Sequence, residues 1–336
     1  MNSFGRLFRV NIFGESHGES VGVNIDGCPA GLPLPVEDFL PDLERRKGGM
    51  QRGTTPRKED DLPIFKSGLF QGKSTGAPIT ILFENNNTRS ADYEKQRAVP
   101  RPGHADFVAH EKYGGFEDYR GGGAFSARLT VGLVAAGVIA RKLMGEVVQV
   151  KAGILEVGGE TDTEKGLQKA IDAKDSVGGI VECRVSGLPV GLGEPFFDSV
   201  ESLLAHVAFA IPAVRGVEFG TGFAAAKMFG SQHNDAIEDR TGRTRTNHAG
   251  GVVGGLTNGN ELVYRIAIKP TSSTPKEQLT LNWETEQQEK FTVKGRHDLC
   301  VALRAPVILE AMTAIVLTDL LMLEQRIPRI WTGDCL

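Results

Sequence analysis

Two short segments of this chain resemble each other, and this internal repeat is the feature that most constrains its fold. The segment IDGCPAGLPLP at 25–35 resembles VSGLPVGLGEP at 185–195, with Gly, Pro, Gly and Leu at matching positions. Each copy leads into a predicted helix that begins with Val-Glu. We therefore predict a duplicated α+β unit, a single domain 1–336 made of two related halves, about 1–150 and 151–336. A ligand site should lie between the halves, because such junctions commonly form pockets.

Two long apolar segments strengthen this prediction. In each half a His-Ala pair, at His104 and His248, precedes an arginine that leads such a segment, Arg128 and Arg304 respectively. Apolar residues of the second segment, 305–323, recur at helical spacing. This segment also contains two carboxylates, which predicts a buried helix rather than a membrane span.

Alternating and helical patterns predict the other elements in outline. The predicted strands and helices are strands at 6–13, 21–27 and 76–85, and helices at 36–47, 105–115 and 126–144. The last of these helices contains glycines, each of which costs about 1 kcal/mol relative to alanine. We interpret them as positions of close packing against a neighbouring helix.

The distribution of arginine indicates a small anionic ligand. The chain carries 38 Lys and Arg against 42 Asp and Glu, a formal net charge of −4, which suits general nucleic-acid binding poorly. Its arginines nevertheless cluster in three stretches: Arg45, Arg46, Arg52 and Arg57; Arg97, Arg101, Arg120 and Arg128; and Arg296 and Arg304. If these stretches converge, they form a positive pocket for a small polyanion on an acidic body.

Cysteine usage and the N-terminus bear on the compartment. The four cysteines, at 28, 183, 300 and 335, include no C-x-x-C pair. This spacing argues against a metal site or a disulfide framework and suits a reducing compartment. The N-terminal MNSFGRLFRV matches neither a secretory signal nor a usual transit peptide. We therefore expect a cytoplasmic protein without a membrane partner.

The stretch GESHG at 14–18 admits two interpretations. Its G-x-S-x-G spacing matches the turn that presents the nucleophilic serine of many hydrolases, which would make Ser16 a nucleophile. That turn normally follows several parallel strands and opens a helix, whereas here one short predicted strand precedes it and another follows. His17 is therefore the better candidate, for a charged or proton-donating role.

Two glycine-containing stretches carry further candidates. RPGHADF at 101–107 presents His104 in a Pro-Gly turn, with Asp106 as the predicted N-cap of the next helix. YRGGGAFSARLTVG at 119–132 places three glycines, a serine and an arginine at the start of a long helix. The backbone N–H groups at such a helix end favour an anion, so this stretch predicts a phosphate or carboxylate site.

Two polar stretches are less specific. IKPTSSTP at 268–275 offers consecutive hydroxyls that would suit a phosphate or a ribityl chain, but an ordinary polar loop has the same composition. KGRHDLC at 294–300 gives a cation, a titratable ring and a carboxylate in sequence. A structural salt bridge would explain that stretch equally well.

Taken together, these stretches resemble the chorismate synthase family. The motifs that carry the resemblance are GESHGESVGVNIDGCP, RPGHAD, YRGGGAFSARLTVGLVAAG, TNHAGGVVGG, KPTSS and GRHDLCVALRAPVILEAM. They follow the family's order and extend from Gly14 to Met312. Six motifs in one order make the resemblance specific.

The resemblance implies a fold and a reaction. The family's fold is a β-α-β sandwich with internal duplication, in which long apolar helices pack between antiparallel sheets, and homotetramers are usual. The implied reaction is the last step of the shikimate pathway, a 1,4-anti elimination of phosphate from 5-enolpyruvylshikimate 3-phosphate that gives chorismate. It requires reduced FMN without net redox change. The flavin is thought to lend electron density as phosphate leaves and to recover it as the C6 hydrogen is lost.

The resemblance also implies roles for individual residues. His17 would donate a proton to the leaving phosphate, His104 would protonate the reduced flavin near N1, and Asp298 would help take a proton through flavin N5. The implied substrate contacts are His17, Arg46, Arg52, Ser126, Arg128 and Arg296. The implied flavin contacts are Arg46, Arg52, Ala124, Phe125, Ser126, Pro212, Ala213, Gly254, Lys269, Pro270, Thr271, Ser272, Ser273 and Arg296.

The chain departs from the family's motifs in two places. Many members have Arg-Ser where this chain has Ala124 and Phe125, so a cation near the flavin is missing and contacts there would come from the backbone. Leu299 replaces the usual proline, which should loosen the local turn but leave Asp298 in place. We see no NAD(P)H fingerprint or extra domain, and therefore expect an external flavin reductant. The open alternatives are a serine hydrolase using Ser16 and a flavin- or nucleotide-binding module without catalysis.

Overall fold

The N-terminal half of the chain forms an antiparallel sheet. The computed structural model describes residues 2–49, 52–55, 59–87, 97–293 and 297–333. The strands of this half are β1 Ser3–Phe4, β2 Arg9–Gly14, β3 Ser20–Asp26, β4 Ile64–Ser67, β5 Leu69–Phe70, β6 Lys73–Ser74 and β7 Ile79–Glu84. Five of them follow the order β1-β2-β3-β7-β4, and β5 and β6 form a separate hairpin. The antiparallel pairing of β2 with β3 confirms the first two predicted strands.

The second half forms another antiparallel sheet. Its strands are β8 Gln149–Val157, β9 Gly179–Ser186, β10 Val214–Phe219, β11 Val252–Val253, β12 Leu256–Thr257, β13 Leu262–Ile268, β14 Gln278–Asn282 and β15 Gln287–Phe291. The sheet order is β10-β13-β9-β8, while β11 with β12 and β14 with β15 form two-stranded hairpins. The described residues therefore form a mixed α and β structure with antiparallel sheets.

Two long helices lie between the sheets. The helices are α1 Leu40–Arg46, α2 Asp106–Tyr113, α3 Thr130–Met144, α4 Thr163–Ala173, α5 Val200–Ala210, α6 Gly230–His233 and α7 Ala305–Leu323. Helix α3 packs on β3 of the first sheet, helix α7 packs on β8 of the second, and the two helices pack on each other. Because the core residues of both sheets and both helices form one cluster, the halves share a hydrophobic core.

Helix α7 is buried along most of its length, and its two carboxylates are matched by specific donors. Glu310 accepts hydrogen bonds from Arg45 Nη1 at 2.6 Å and from the Ala152 backbone N–H at 2.9 Å. Asp319 accepts from three successive backbone N–H groups, those of residues 6–8. These bonds explain why an apolar helix can bury two carboxylates, since a buried charge needs a partner.

A glycine permits the close approach of the two central helices. Gly137 of α3 faces Ala311 of α7, and a Cβ on Gly137 would lie 2.5 Å from the Ala311 Cα atom. That distance is well inside van der Waals contact, so no larger side chain fits without a shift of the helices. This contact explains the glycine that the sequence places within an otherwise apolar helix.

The two similar segments, 25–35 and 185–195, follow the same local path. After β3 and β9 the chain turns at Gly27 and Gly187, where φ is +85° and +80°. A Cβ at either position would overlap a backbone carbonyl, so glycine is required there. Each segment then enters a 3₁₀ turn, Val36–Asp38 or Phe196–Asp198, preceded by a proline in extended conformation.

Two details of the sequence prediction are wrong. The segment 36–47 is a 3₁₀ turn followed by the shorter helix α1 rather than one helix. Asp106 is not the N-cap of α2; that position is Ala105, which makes no side-chain capping bond. The Asp106 carboxylate is instead bound to Arg101 and His104, because ionic partners outcompete the backbone N–H groups of the helix.

We expect Gly137→Ala to destabilise the protein, although alanine favours a helix by about 1 kcal/mol over glycine. The added methyl group would collide with Ala311, and overpacking of this kind costs about 1–3 kcal/mol. Urea denaturation would measure the loss in free energy of unfolding. Ala311→Gly in the same chain should restore part of it. A Gly137→Ala protein as stable as wild type would contradict the close packing of α3 on α7.

Candidate active site

A cavity of about 680 Å³ opens where α3 and α7 begin. This volume lies within the usual range for small-molecule sites. Residues of both halves line it, from Ser16 to Arg128 and from Phe209 to Arg304. The cavity therefore lies between the halves, where the sequence places the ligand site.

The cavity wall is strongly positive. Its basic side chains are Arg46, Lys47, Arg101, Arg128, Arg215, Lys269 and Arg304, and its carboxylates are Glu59, Asp61 and Asp298. Seven cations against three anions in a recess of low dielectric attract a polyanion. The convergence that the arginine clusters predict thus occurs for Arg46, Arg101, Arg128 and Arg304.

Asp61 holds two of these arginines together. Its Oδ2 atom accepts a hydrogen bond from Arg46 Nη2 at 2.7 Å, and its Oδ1 atom accepts from Arg128 Nη1. The three side chains are nearly inaccessible to solvent. Burial alone would raise the pKa of Asp61, but the charges and hydrogen bonds of the two arginines outweigh it and hold that pKa below its usual range. The carboxylate is therefore a fixed counter-charge.

Arg304 and Asp298 form a second ion pair on the wall. Arg304 Nη1 donates to Asp298 Oδ2 at 3.1 Å, and the Thr55 backbone N–H donates to Asp298 Oδ1 at 2.7 Å. Arg304 Nε also donates to the Arg46 carbonyl at 2.8 Å, which links the two ion-pair groups. Burial lowers the pKa of Arg304, and the nearby Asp298 charge opposes that shift. Asp298 is thus held in one orientation by two donors.

His104 is oriented by a carboxylate. Its Nδ1 atom lies 2.5 Å from Asp106 Oδ1, so we assign a proton to Nδ1 and leave Nε2 for a ligand. Arg101 donates to both Asp106 oxygens at 2.7 Å. These interactions hold the pKa of Asp106 below its usual range, against the opposing effect of burial, so the carboxylate remains charged. His104 therefore has a fixed orientation on the cavity wall.

The glycine run at 121–123 makes room for both histidines. A Cβ on Gly121 would overlap the His17 ring, and one on Gly122 would lie 3.2 Å from His104 Nε2. His17 itself is buried, and the neighbouring Ser16 lines the cavity. The run therefore brings the GESHG and RPGHAD turns against the same wall.

The loop that begins at Lys269 is bonded to the RPGHAD turn. Lys269 Nζ donates to the Gly103 carbonyl at 2.5 Å and to Ser272 Oγ at 2.9 Å. Ser272 Oγ donates to the same carbonyl at 2.8 Å. Because the two stretches come from different halves of the chain, these bonds close one side of the cavity.

Most of the residues predicted for the site lie on the cavity wall. These are Arg46, His104, Phe125, Ser126, Arg128, Pro212, Ala213, Lys269, Pro270, Thr271, Ser272, Ser273 and Asp298. Arg296 lies outside the described residues, as does Arg57.

Four predicted residues of the described chain are absent from the wall, and one of them, His17, is buried behind Ser16 and Gly121. Arg52 is half exposed and bonds instead to Glu164 and Gln168 of α4. Gly254 lies in the hairpin of β11 and β12, and Ala124 lies in the turn before Phe125. The structure of this chain does not bring Arg52, Ala124 or Gly254 to the cavity, whereas His17 lies directly behind its wall.

The cavity also contains charged residues that sequence reasoning did not single out. Asp61 stands beside another aspartate in a charged loop, and no local spacing distinguishes it. Arg215 follows the predicted flavin contacts Pro212 and Ala213 by two residues, a signal that could have identified it. Asp106 lies behind the wall, where it binds Arg101 and His104 instead of capping α2.

We expect Asp61→Asn to lower the free energy of unfolding by about 3–5 kcal/mol, because it leaves two buried guanidinium groups without a counter-charge. Asparagine tolerates the φ of +51° at this position, so the backbone conformation is preserved. Asp60→Asn is the matched control, since Asp60 is exposed, and it should change stability by less than about 0.5 kcal/mol. Equal effects of the two changes in denaturant unfolding would contradict the buried ion-pair assignment.

The same ion pairs predict a pH dependence. The pKa values of Asp61 and Asp106 are lower in the folded protein than in the unfolded chain. When the pH falls below the pKa of an unfolded aspartate, the unfolded chain therefore binds protons that the folded protein does not. The contribution of these carboxylates to the free energy of unfolding should therefore be complete above about pH 4 and should be lost as the pH drops further. Asp61→Asn should show a smaller acid loss than wild type in unfolding measured across this range. An unchanged loss would show that Asp61 does not contribute.

Comparisons with known proteins identify the family of this chain. The protein-family model for chorismate synthase matches residues 8–322. A chorismate synthase of Chitinophaga pinensis is 71% identical over 331 residues, which cover 98% of this chain and 99% of the relative. One from Methanocaldococcus jannaschii is 40% identical over 365 residues and 96% of each chain. A crystal structure of a chorismate synthase matches with a TM-score of 0.75 at 26% identity, over 98% of this chain and 96% of the other. The chain belongs to the chorismate synthase family.

Proposed function

We propose that this chain catalyses the 1,4-anti elimination of phosphate from 5-enolpyruvylshikimate 3-phosphate, which gives chorismate. The observation that carries the proposal is the convergence of seven cations and an oriented histidine on one cavity between the halves. The substrate has two carboxylates and a phosphate. Arginine is suited to both groups, because its planar fork donates paired hydrogen bonds to either.

Arg46, Arg128 and Arg304 would bind the anionic groups of the substrate. Asp61 and Asp298 fix the orientation of these guanidinium groups but leave the wall with a net positive charge. A site arranged before binding loses less free energy in ordering its side chains. Ser126, next to this group on the wall, would add a hydroxyl donor.

The residues of the wall also fit reduced FMN. Arg46 Nε and Thr271 Oγ1 have no hydrogen-bond partner among the described residues, and Phe125 offers an aromatic surface at the cavity. Residues 269–273, with Pro212 and Ala213, would hold the cofactor. When bound, reduced FMN supplies electron density that assists loss of phosphate and is recovered as the C6 hydrogen leaves.

Three side chains would donate or accept protons. His17, buried behind Ser16 and Gly121, would donate a proton to the departing phosphate. His104 would hold a proton at Nε2, since Asp106 fixes its Nδ1 side. The Asp298 carboxylate, held by Arg304 and the Thr55 N–H, would accept a proton.

Further properties of the protein are also part of the proposal. The matching turns at Gly27 and Gly187, each followed by a 3₁₀ turn, support an internal duplication. By family resemblance we also propose a homotetramer in the cytoplasm, supplied with reduced flavin by a separate reductant. The serine-hydrolase alternative is not supported, because Ser16 lies in a turn between antiparallel strands β2 and β3 rather than before a helix.

We expect anaerobic enzyme with the substrate and dithionite-reduced FMN to release inorganic phosphate and form chorismate. The same enzyme with oxidised FMN and NADPH should show no turnover, because reduced flavin must come from outside. Phosphate and chorismate are measured together. Absence of both products with reduced FMN would reject the proposed function, and turnover with NADPH alone would reject only the external reductant.

His17→Ala should reduce kcat by about 100-fold or more, the usual scale for loss of a general acid. His206→Ala is the matched control, because His206 is an exposed residue of α5 that contacts the Phe4 ring away from the cavity. Steady-state phosphate release by the two variants measures the difference. Near wild-type kcat in His17→Ala would remove His17 from the proton-donating role.

A further inference from the structure

Arg215 is directed into the cavity by an irregular strand. The pairing of β10 with β13 shifts register between Val214 and Gly216, which leaves Arg215 as the bulged residue. Bulges recur beside active sites, where they redirect a side chain. Two residues earlier, Ala213 has a φ of +73°. Residues other than glycine rarely adopt this backbone conformation, and those that do are often found at functional sites. The strand end is thus shaped to present Arg215 at the wall.

Arg215 and Lys269 differ from the other cavity cations in their partners. Arg46, Arg101, Arg128 and Arg304 each bind an aspartate, and Lys47 binds Glu44. Among the described residues, no carboxylate lies within salt-bridge distance of Arg215 or Lys269. Lys269 instead donates to a carbonyl and a hydroxyl. These two side chains therefore carry positive charge that no carboxylate of the described chain offsets.

The two cations are also near each other. Partial burial, followed by the charge of Arg215, lowers the pKa of Lys269. The Lys269 N–H is bonded to the Ala213 carbonyl at 2.9 Å, so the loop of Lys269 and the bulged end of β10 are fixed together. Two adjacent like charges are unfavourable unless an anion joins them. Ser272 Oγ accepts from Lys269 Nζ at 2.9 Å and donates to the Gly103 carbonyl, so it holds the ammonium group in place.

We propose that Arg215 binds a phosphate monoester beside Lys269, and so adds a subsite to the cofactor loop. Such a group carries a charge of about −1.5 to −2 at neutral pH and three strong acceptor oxygens, which matches two adjacent cations. The inference rests on the proposed function, because both FMN and the substrate supply a phosphate monoester there. Arg215 would bind that group directly, through the donors that its bulged position brings to the wall.

The test compares ligands that differ only in the phosphate. FMN and riboflavin are titrated by isothermal calorimetry into wild type, Arg215→Ala and Arg215→Lys, and KM for 5-enolpyruvylshikimate 3-phosphate is measured with reduced FMN. Arg184→Ala is the control, since Arg184 is an exposed arginine on β9 paired with Glu182 and Glu261. Arg215 is itself exposed, so its removal should leave the thermal midpoint unchanged.

Two results support the subsite and identify the source of the phosphate. If the phosphate belongs to the cofactor, Arg215→Ala weakens the binding of FMN about tenfold or more, which is the scale of a charged hydrogen bond. The affinity for riboflavin then stays unchanged. If it belongs to the substrate, KM rises about tenfold while FMN affinity is unchanged. Arg215→Lys, which keeps the charge, should lose less in either case.

Other results overturn the subsite. Equal weakening of FMN and riboflavin would indicate a contact with the ring or a structural effect, and changes below twofold in both arms would show that Arg215 binds neither phosphate. Wild-type turnover separates these outcomes from failure of the proposed function. An active wild type with an unaffected Arg215→Ala rejects the subsite alone, whereas an inactive wild type rejects the function.

Discussion

The buried ion pairs of Asp61 with Arg46 and Arg128, and the partly buried pair of Asp298 with Arg304, are the interactions on which the site depends. Guanidinium groups that face one another in a water-poor recess repel strongly and lose hydration. Two carboxylates make such an arrangement possible without neutralising it. The positive charge that remains is therefore held in fixed positions, which is what recognition of a rigid polyanion requires.

The packing of the two central helices brings these charges together. Arg128 stands just before α3 and Arg304 just before α7, so the distance between the helices sets the distance between the cations. Gly137 against Ala311 allows the helices to approach closely. The hydrophobic core and the polar site are thus consequences of one arrangement, in which two buried helices pack together and the 3₁₀ turn before each of them carries an arginine. Each sheet covers one helix and contributes loops to the cavity.

Much of this arrangement could be predicted from local sequence. The strands at the GESHG hairpin, the buried helix α7 and the turns at Gly27 and Gly187 each have a local cause, either alternation, apolar spacing or a required positive φ. Contacts between distant segments could not be predicted in this way. Asp61 has no local signature, because its role depends on two arginines that are 15 and 67 residues away in the chain. The position of Asp106 is that expected of a helix cap, but its carboxylate is hydrogen-bonded to a nearby arginine and histidine instead.

We propose that one cavity between the halves holds both the flavin and the trianionic substrate. A crystal structure of the protein with oxidised FMN and 5-enolpyruvylshikimate 3-phosphate tests it most directly. We predict that both ligands lie in this cavity, with the anionic groups of the substrate on Arg46 and Arg128 and the flavin against the loop that begins at Lys269. Either ligand bound on a surface away from these residues, with the cavity filled only by solvent, would contradict the account.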